Sequence, residues 1–379
     1  VKVFERWDPA RKINTMFWPQ GEGDYRMQNP YWIAYRNLRL NQKKRYMLSA
    51  QLSYDITDWL NISGRVRVDN THTKYEQKLY ASSNLTITEE STQGHYTISK
   101  PDETQTYADV LANINKRFND FSLVANVGAS IVNNRYEDLS YRGPIREKGI
   151  PNVFNVFDLD NTKKKARQDE WQEQTQSVFA SVEVGWKSML YLTLTGRNDW
   201  ASQLANSSTP CFFYPSVGLS GVISEMLTLP EFIDYMKVRG SFSSVGMPYP
   251  RNLTSPTYEY DEANQQWKPK THYPIKDLKP ERTNSWELGL DMRLFKDFSL
   301  GFSWYLANTF NQTFDPKVSV SSGYSKIYLQ TGYVRNSGVE LSLGYGHTWN
   351  NHLHWESNFT LSHNKNTIKD LVTSYIPVS

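Results

Sequence analysis

The chain has one cysteine, no long apolar run and almost no excess of charge, and each shortage removes a class of protein. A single cysteine, Cys211, cannot build an internal disulfide framework or a Cys-rich zinc site. It lies between Pro210 and Phe212 without a glycine-rich elbow, so it reads as a bystander and not as a nucleophile. No stretch nears the ~18 consecutive apolar residues of a transmembrane helix. That absence leaves a membrane barrel open, because barrel strands alternate between lipid and water and average out as polar. The 42 Lys and Arg balance 39 Asp and Glu, for a formal net charge of +3. A nucleic-acid binder carries a basic patch or stripe. Here Lys163, Lys164 and Lys165 run straight into Asp169 and Glu170, so no nucleic-acid partner is expected.

Aromatic residues are abundant: 24 Tyr, 17 Phe and 12 Trp. They fall within a period-2 alternation that dominates the chain. Trp286, Leu288, Leu290, Met292 and Leu294 alternate with Glu287, Gly289, Asp291 and Arg293. The same pattern runs through Leu48–Tyr54, Phe121–Ile131, Val178–Trp186, Phe298–Leu306 and Val339–Tyr345. One strand face is apolar and the other is polar or empty, which leaves little room for helices.

The strands pair around short polar turns at Thr57-Asp58-Trp59, Asn119-Asp120-Phe121, Lys187-Ser188-Met189, Asp234-Tyr235-Met236, Lys296-Asp297-Phe298 and Asn350-Asn351-His352. Long polar segments such as 81–104, 142–170 and 248–282 lie between them. Short turns at one end and long loops at the other are the layout of an outer-membrane barrel, with periplasmic turns and extracellular loops. The expected fold is all-β, an antiparallel up-and-down transmembrane barrel with about 12 strands in this chain. The run Asn61–Tyr80 is longer than the ~9–11 residues a tilted strand needs to cross a bilayer. Residues 225–235 break the alternation, and Pro230 suggests a short helical turn starting there. Trp59, Phe121, Tyr235, Phe298 and Trp355 are expected at one membrane interface, where amphipathic rings are favoured.

Several stretches carry a resemblance. They are LTGRNDWAS (194–202), FYPSVGLSGVISE (213–225), KVRGSFSSVGMP (237–248), LKPERTNSWELGLDMRLF (278–295) and VRNSGVELSLGY (334–345). In order and separation this set resembles the SusC/RagA family of TonB-dependent outer-membrane transporters. The resemblance implies a barrel of about 22 strands closed by a plug domain. By that resemblance the plug, its TonB-interacting segment and the last strands are expected to lie outside this sequence. It also implies a SusD-like surface lipoprotein as a lid and a location in the outer membrane of Bacteroidota. The import of oligosaccharides or peptides driven by TonB completes the picture. A barrel with a structural or assembly role and a soluble glycan-binding β-protein are the alternatives.

No catalytic constellation, metal site or cofactor site is legible. His352 and His354 share a strand face beside a turn, with no thiol near them and Glu356 as the one neighbouring carboxylate, too small a set for a metal site. Asp158 and Asp160 in NVFDLDN lack the twelve-residue spacing of a calcium loop. Arg197 and Asp199 are placed for an internal salt bridge or for the lumen. Function is therefore expected on surfaces. Glu287, Asp291, Arg293 and Glu340 point into a wet lumen, where charge is cheap. Tyr258, Tyr260 and Trp267 offer flat rings to ligand or partner in the 248–282 loop, since loops on rigid scaffolds carry function.

Overall fold

The computed structural model describes residues 3–17, 28–205, 207, 209–248, 250–251, 258–261, 265–269, 272–273, 279–314, 326–327, 329–349 and 352–370. A hairpin of β1 (Glu5–Asp8) and β2 (Ile13–Met16) precedes helix α1 (Pro30–Arg36). Then come β3 (Asn37–Thr57), β4 (Leu60–Tyr80), β5 (Gly94–Ser99), β6 (Asp102–Phe118), β7 (Phe121–Pro144) and β8 (Lys165–Trp186). They are followed by β9 (Leu190–Ala201), β10 (Phe212–Val222), α2 (Ile223–Met226), β11 (Ile233–Met247), β12 (Tyr258–Asp261), β13 (Gln266–Pro269) and β14 (His272–Tyr273). The last strands are β15 (Glu281–Leu294), β16 (Phe298–Phe314), β17 (Lys326–Ile327), β18 (Leu329–Trp349) and β19 (Leu353–Asp370).

One sheet of 13 strands runs β19-β18-β16-β15-β11-β10-β9-β8-β7-β5-β4-β3, with β6 between β4 and β7. β5 and β6 run in line and are interrupted only at Lys100–Pro101. Pro101 has no N–H to donate, but its carbonyl accepts from Thr73 N at 2.9 Å, and Lys100 N donates to Leu139 O at 3.3 Å. The expected width of about twelve strands is therefore met. The short turns stand where the sequence puts them between β3 and β4, β6 and β7, β8 and β9, and β15 and β16. Asn119, Lys187, Ser188, Phe295 and Lys296 take positive φ there, as two- and three-residue hairpin turns require. Of the turn between β18 and β19, Asn350 and Asn351 lie outside the described residues.

Three expectations need correction. The segments 81–104 and 142–170 are loop only in their middle parts: β5 and the start of β6 occupy the end of the first, and β7 and β8 extend into the two ends of the second. Residues 165–176 carry only Ala166 and Trp171 among polar side chains, so no hydrophobic alternation marks them as strand. The 248–282 segment contains a hairpin of β12 and β13. Finally, α2 ends before Pro230 instead of starting there. Pro230 belongs to the turn entering β11, where its carbonyl accepts from Ile233 N at 2.9 Å.

The chain forms two compact units. The first comprises 1–50, 66–107 and 133–173, and has a core of the kind found in water-soluble proteins. Trp32, Ala81, Ile145 and Leu159 are essentially fully buried, with Leu79 and Tyr96 beside them. Helix α1 delivers Trp32: Asn29 caps it by accepting from Tyr31 N at 3.0 Å, and Pro30 takes the first position, where no N–H is missed. Trp32 Nε1 donates to Ser83 Oγ at 2.9 Å, and that hydroxyl donates to Asn37 Oδ1 at 2.8 Å. Two loop contacts tie this unit together: Ser91 Oγ donates to Ile145 O at 2.6 Å, and Ala81 N donates to Asn152 Oδ1 at 2.7 Å. Gly94 has φ +113°, and a Cβ there would lie 2.6 Å from Leu79 O. Burial, then its hydrogen bond to Glu76, pushes the Tyr96 phenol well above its ordinary pKa.

The second unit, 51–65, 108–132 and 174–379, is organised the opposite way. Its large apolar side chains face outward: Trp286 is 52% exposed and Leu288 56%, with Leu192, Leu194, Phe302, Leu343 and Phe359 also open.

Candidate functional site

Strand register assigns each residue of the second unit to a face, because directly paired residues point the same way. One transverse row reads Val184, Leu192, Leu219, Gly240, Leu288, Trp304 and Val339. The next reads Val182, Leu194, Val217, Phe242, Trp286 and Leu306. Below them run Val238, Leu290, Phe302, Leu341 and Leu361, then Met236, Met292, Leu300, Leu343 and Phe359. The intervening rows are polar. One holds Glu183, Thr193, Gly218, Ser241, Glu287 and Tyr305. Another holds Ser220, Arg239, Gly289, Ser303 and Glu340.

On the polar face Arg239 is the centre of a charged cluster. Its Nη1 donates to Asp291 Oδ2 at 3.0 Å, and its Nη2 reaches Ser303 Oγ at 3.0 Å and Glu287 Oε1 at 3.4 Å. Gly289 makes this possible: a Cβ there would lie 2.5 Å from Arg239 Nε. Lys237 lies directly opposite Asp291, and Glu340 pairs with Ser303. A second ion pair on this face joins Arg197 Nε to Asp199 Oδ1 at 2.7 Å, with Arg197 Nη2 donating to Ser177 Oγ at 2.8 Å. All these groups are partly open to solvent, so each pair contributes little stability alone. Together they make a mixed-charge surface on the polar face. Among the described residues, no three His, Cys, Asp or Glu gather to hold a metal ion.

The model of the TonB-dependent receptor-like β-barrel matches residues 3–377. The chain belongs to that family. Two TonB-dependent receptors of Formosa agariphila, P26 and P39, are similar. P26 is 26% identical over 226 residues, which is 57% of this chain and 23% of P26. P39 is 24% identical over 275 residues, 68% of this chain and 25% of P39. The chain thus spans about a quarter of the length of these receptors. Among solved structures, the RagAB peptide transporter superposes with a TM-score of 0.77 at 17% identity, over 92% of this chain and 39% of that one. The same importer in its open-open state gives 0.76 at 16% identity, over 98% of this chain and 40% of that one. At this identity the likeness is one of fold, and it is the fold that the SusC/RagA resemblance implies.

Within this receptor barrel, Glu287, Asp291, Arg293 and Glu340 all occupy the polar face. Glu287 and Asp291 share Arg239, whereas Glu340 and Arg293 stand apart from that cluster. Phe298 and Trp355 lie on the apolar face near the short turns, and Trp59 sits in the β3–β4 turn with Lys116 Nζ 4.7 Å from its ring centre. Phe121, 50% exposed, opens β7 directly after its turn. Tyr235 departs from the expectation. It alternates in phase with Lys237 and Arg239 and so pairs with Arg293 on the polar face, while a bulge at Asp234 shifts only Ile233. Tyr260 pairs with Trp267 in the β12–β13 hairpin, and the Trp267 ring is exposed. The side chains of Tyr258 and Tyr260 lie outside the described residues. Sequence reading missed Arg239, although Lys237, Arg239, Ser241 and Ser243 alternate with Val238, Gly240 and Phe242 in plain view.

Proposed function

We propose that this chain forms part of the wall of a TonB-dependent importer in the outer membrane, with its apolar face in lipid and its polar face lining the lumen. The observation that carries this reading is the register-wide separation of two faces across β8–β19, with the larger side chains on the open side. In water such an exposed apolar sheet is a liability, whereas in a bilayer it is the required surface. The polar wall of Arg239, Glu287, Asp291 and Glu340 then meets a plug domain that transmits work from TonB. A SusD-like lipoprotein covers the mouth, with exposed loop rings such as Trp267 available to it or to ligand. Substrates are oligosaccharides or peptides, and the likeness to the RagAB peptide transporter supports the peptide side.

The test is uptake of labelled peptide and oligosaccharide pools by cells carrying the full-length protein, with and without TonB. Accumulation that requires both the protein and TonB, with a lipoprotein co-purifying in detergent, is expected. Uptake unchanged by loss of TonB, or a protein recovered in the soluble fraction, overturns the reading.

A further inference from the structure

The apolar face of β15, β16, β18 and β19 has a chemically one-sided border. From the short turns upward it runs Leu294 to Trp286 on β15, Phe298 to Leu306 on β16, Tyr345 to Val339 on β18 and Leu353 to Leu361 on β19. Above that band the same face carries Asn284 and Arg282, Asn308 and Phe310, Ser337 and Arg335, and His363 and Lys365. No carboxylate lies on this face along those four paths. The first one met is Asp370, beyond a register break and opposite Tyr333. The polar face of the same strands mixes both signs, with Arg293 beside Asp291 and Glu287.

The bases also sit at a telling height. Arg282, His363 and Lys365 lie 10–12 residues along their strands from the short-turn end and Arg335 lies 14, at or just beyond the ~9–11 residues a tilted strand needs to cross a bilayer. Aromatic rings mark the near border of the band, where Phe298 and Tyr345 are 4.8 Å apart. The far border is basic. Arg282 Nη2 donates to Phe213 O at 2.9 Å on the exposed surface, while the half-buried Arg335 is held by Nε to Asn308 Oδ1 at 2.9 Å and by Nη2 to the Tyr333 hydroxyl, and each guanidinium keeps further N–H donors. Lys365 and His363 are exposed and have no partner among the described residues.

We infer that this border binds the phosphate groups of outer-leaflet lipid, with Arg282, Arg335 and Lys365 as the charged donors and His363 as a further one. The inference rests on reading the apolar face as lipid-facing. Charge complementarity selects the occupant: three cations above an apolar band, on strand faces that carry no carboxylate among the described residues before Asp370, match a phosphorylated headgroup above its acyl chains. Arginine suits the role because its planar fork meets two phosphate oxygens at once.

The experiment uses the full-length protein in phosphatidylcholine nanodiscs, titrated with lipid A bisphosphate and followed by native mass spectrometry. Removing one base near an anionic surface weakens binding about fivefold. Lys365→Gln, which has no described contact to lose, is expected to show that single step. The triple variant R282Q/R335Q/K365Q is expected to lose more than tenfold, while Lys296→Gln, at the opposite end of its strand, leaves binding unchanged. Inorganic phosphate is expected not to displace the lipid, and displacement would contradict a membrane-held headgroup. Wild-type protein that inserts but binds lipid A no better than the triple variant overturns this proposal alone. Failure of the wild type to enter a bilayer overturns the lipid-facing reading and this proposal with it.

Discussion

The two units of this chain use the same residue types in opposite senses. In the first, Trp32 is fully buried and hydrogen-bonded through its indole, with Ile145 and Leu159 equally enclosed. In the second, Trp286 stands half exposed in a row of outward-facing Val, Leu and Phe. The difference teaches that apolar content says nothing about where the solvent is. What distinguishes the units is periodicity: strict alternation across neighbouring strands in one, and isolated large side chains reached by a helix and loops in the other.

The largest effect should come from Trp32→Ala, which removes the central side chain of an enclosed core and is expected to cost about 3–5 kcal/mol. Hydrogen exchange should then accelerate within 66–107 and 133–173, with the second unit unaffected. Equal loss of protection in both units would erase the comparison. Next comes Trp286→Arg, a charge placed on the outward face, costing ~2–4 kcal/mol at the midplane of a bilayer. Outer-membrane levels should collapse on a heat-modifiability gel, whereas Asp291→Asn on the other face should assemble normally. Smaller again is Gly289→Val. Its side chain would displace the Arg239 guanidinium from Asp291 and Glu287, costing about 1–3 kcal/mol by overpacking, read as a lower melting temperature in detergent.

The smallest effect concerns pH in the first unit. Burial depresses the His95 pKa, only partly opposed by Glu89 3.6 Å away, and Arg142 adds to the depression. The folded state therefore holds the imidazole neutral. Its contribution is present above the unfolded pKa of about 6.5 and is lost as pH falls from there toward the depressed folded value. Hydrogen-exchange protection around His95 should decline over that window, and His95→Gln should flatten the decline. A decline toward high pH instead would contradict the assignment.

Much of the barrel was legible because lipid on one side and water on the other force a period of two. That periodicity located Trp286–Leu294 and its partners, and with them the polar positions Glu287, Asp291 and Glu340. It failed where the apolar signal is short or sparse. Residues 165–176 carry only Ala166 and Trp171 among polar side chains, and 94–99 offer only Tyr96 and Ile98, so both read as loop. Periodicity does place Tyr235 in phase with Lys237 and Arg239 on the polar side, but it could not see the bulge at Asp234 that shifts Ile233. Nor could it see Trp32, whose buried indole meets Ser83, far away in sequence. Arg239 was visible in the alternation but gained meaning only when register placed Gly289 beside it.

The central claim is that alternate residues of β15 face different solvents. Spin labels placed one at a time at residues 287 to 292 of the full-length protein, with Cys211→Ser as background, test it directly. The account predicts that Leu288, Leu290 and Met292 positions relax with lipid-soluble oxygen, and that Glu287, Gly289 and Asp291 positions relax with a water-soluble nickel chelate. Equal access of the chelate to both sets would contradict it.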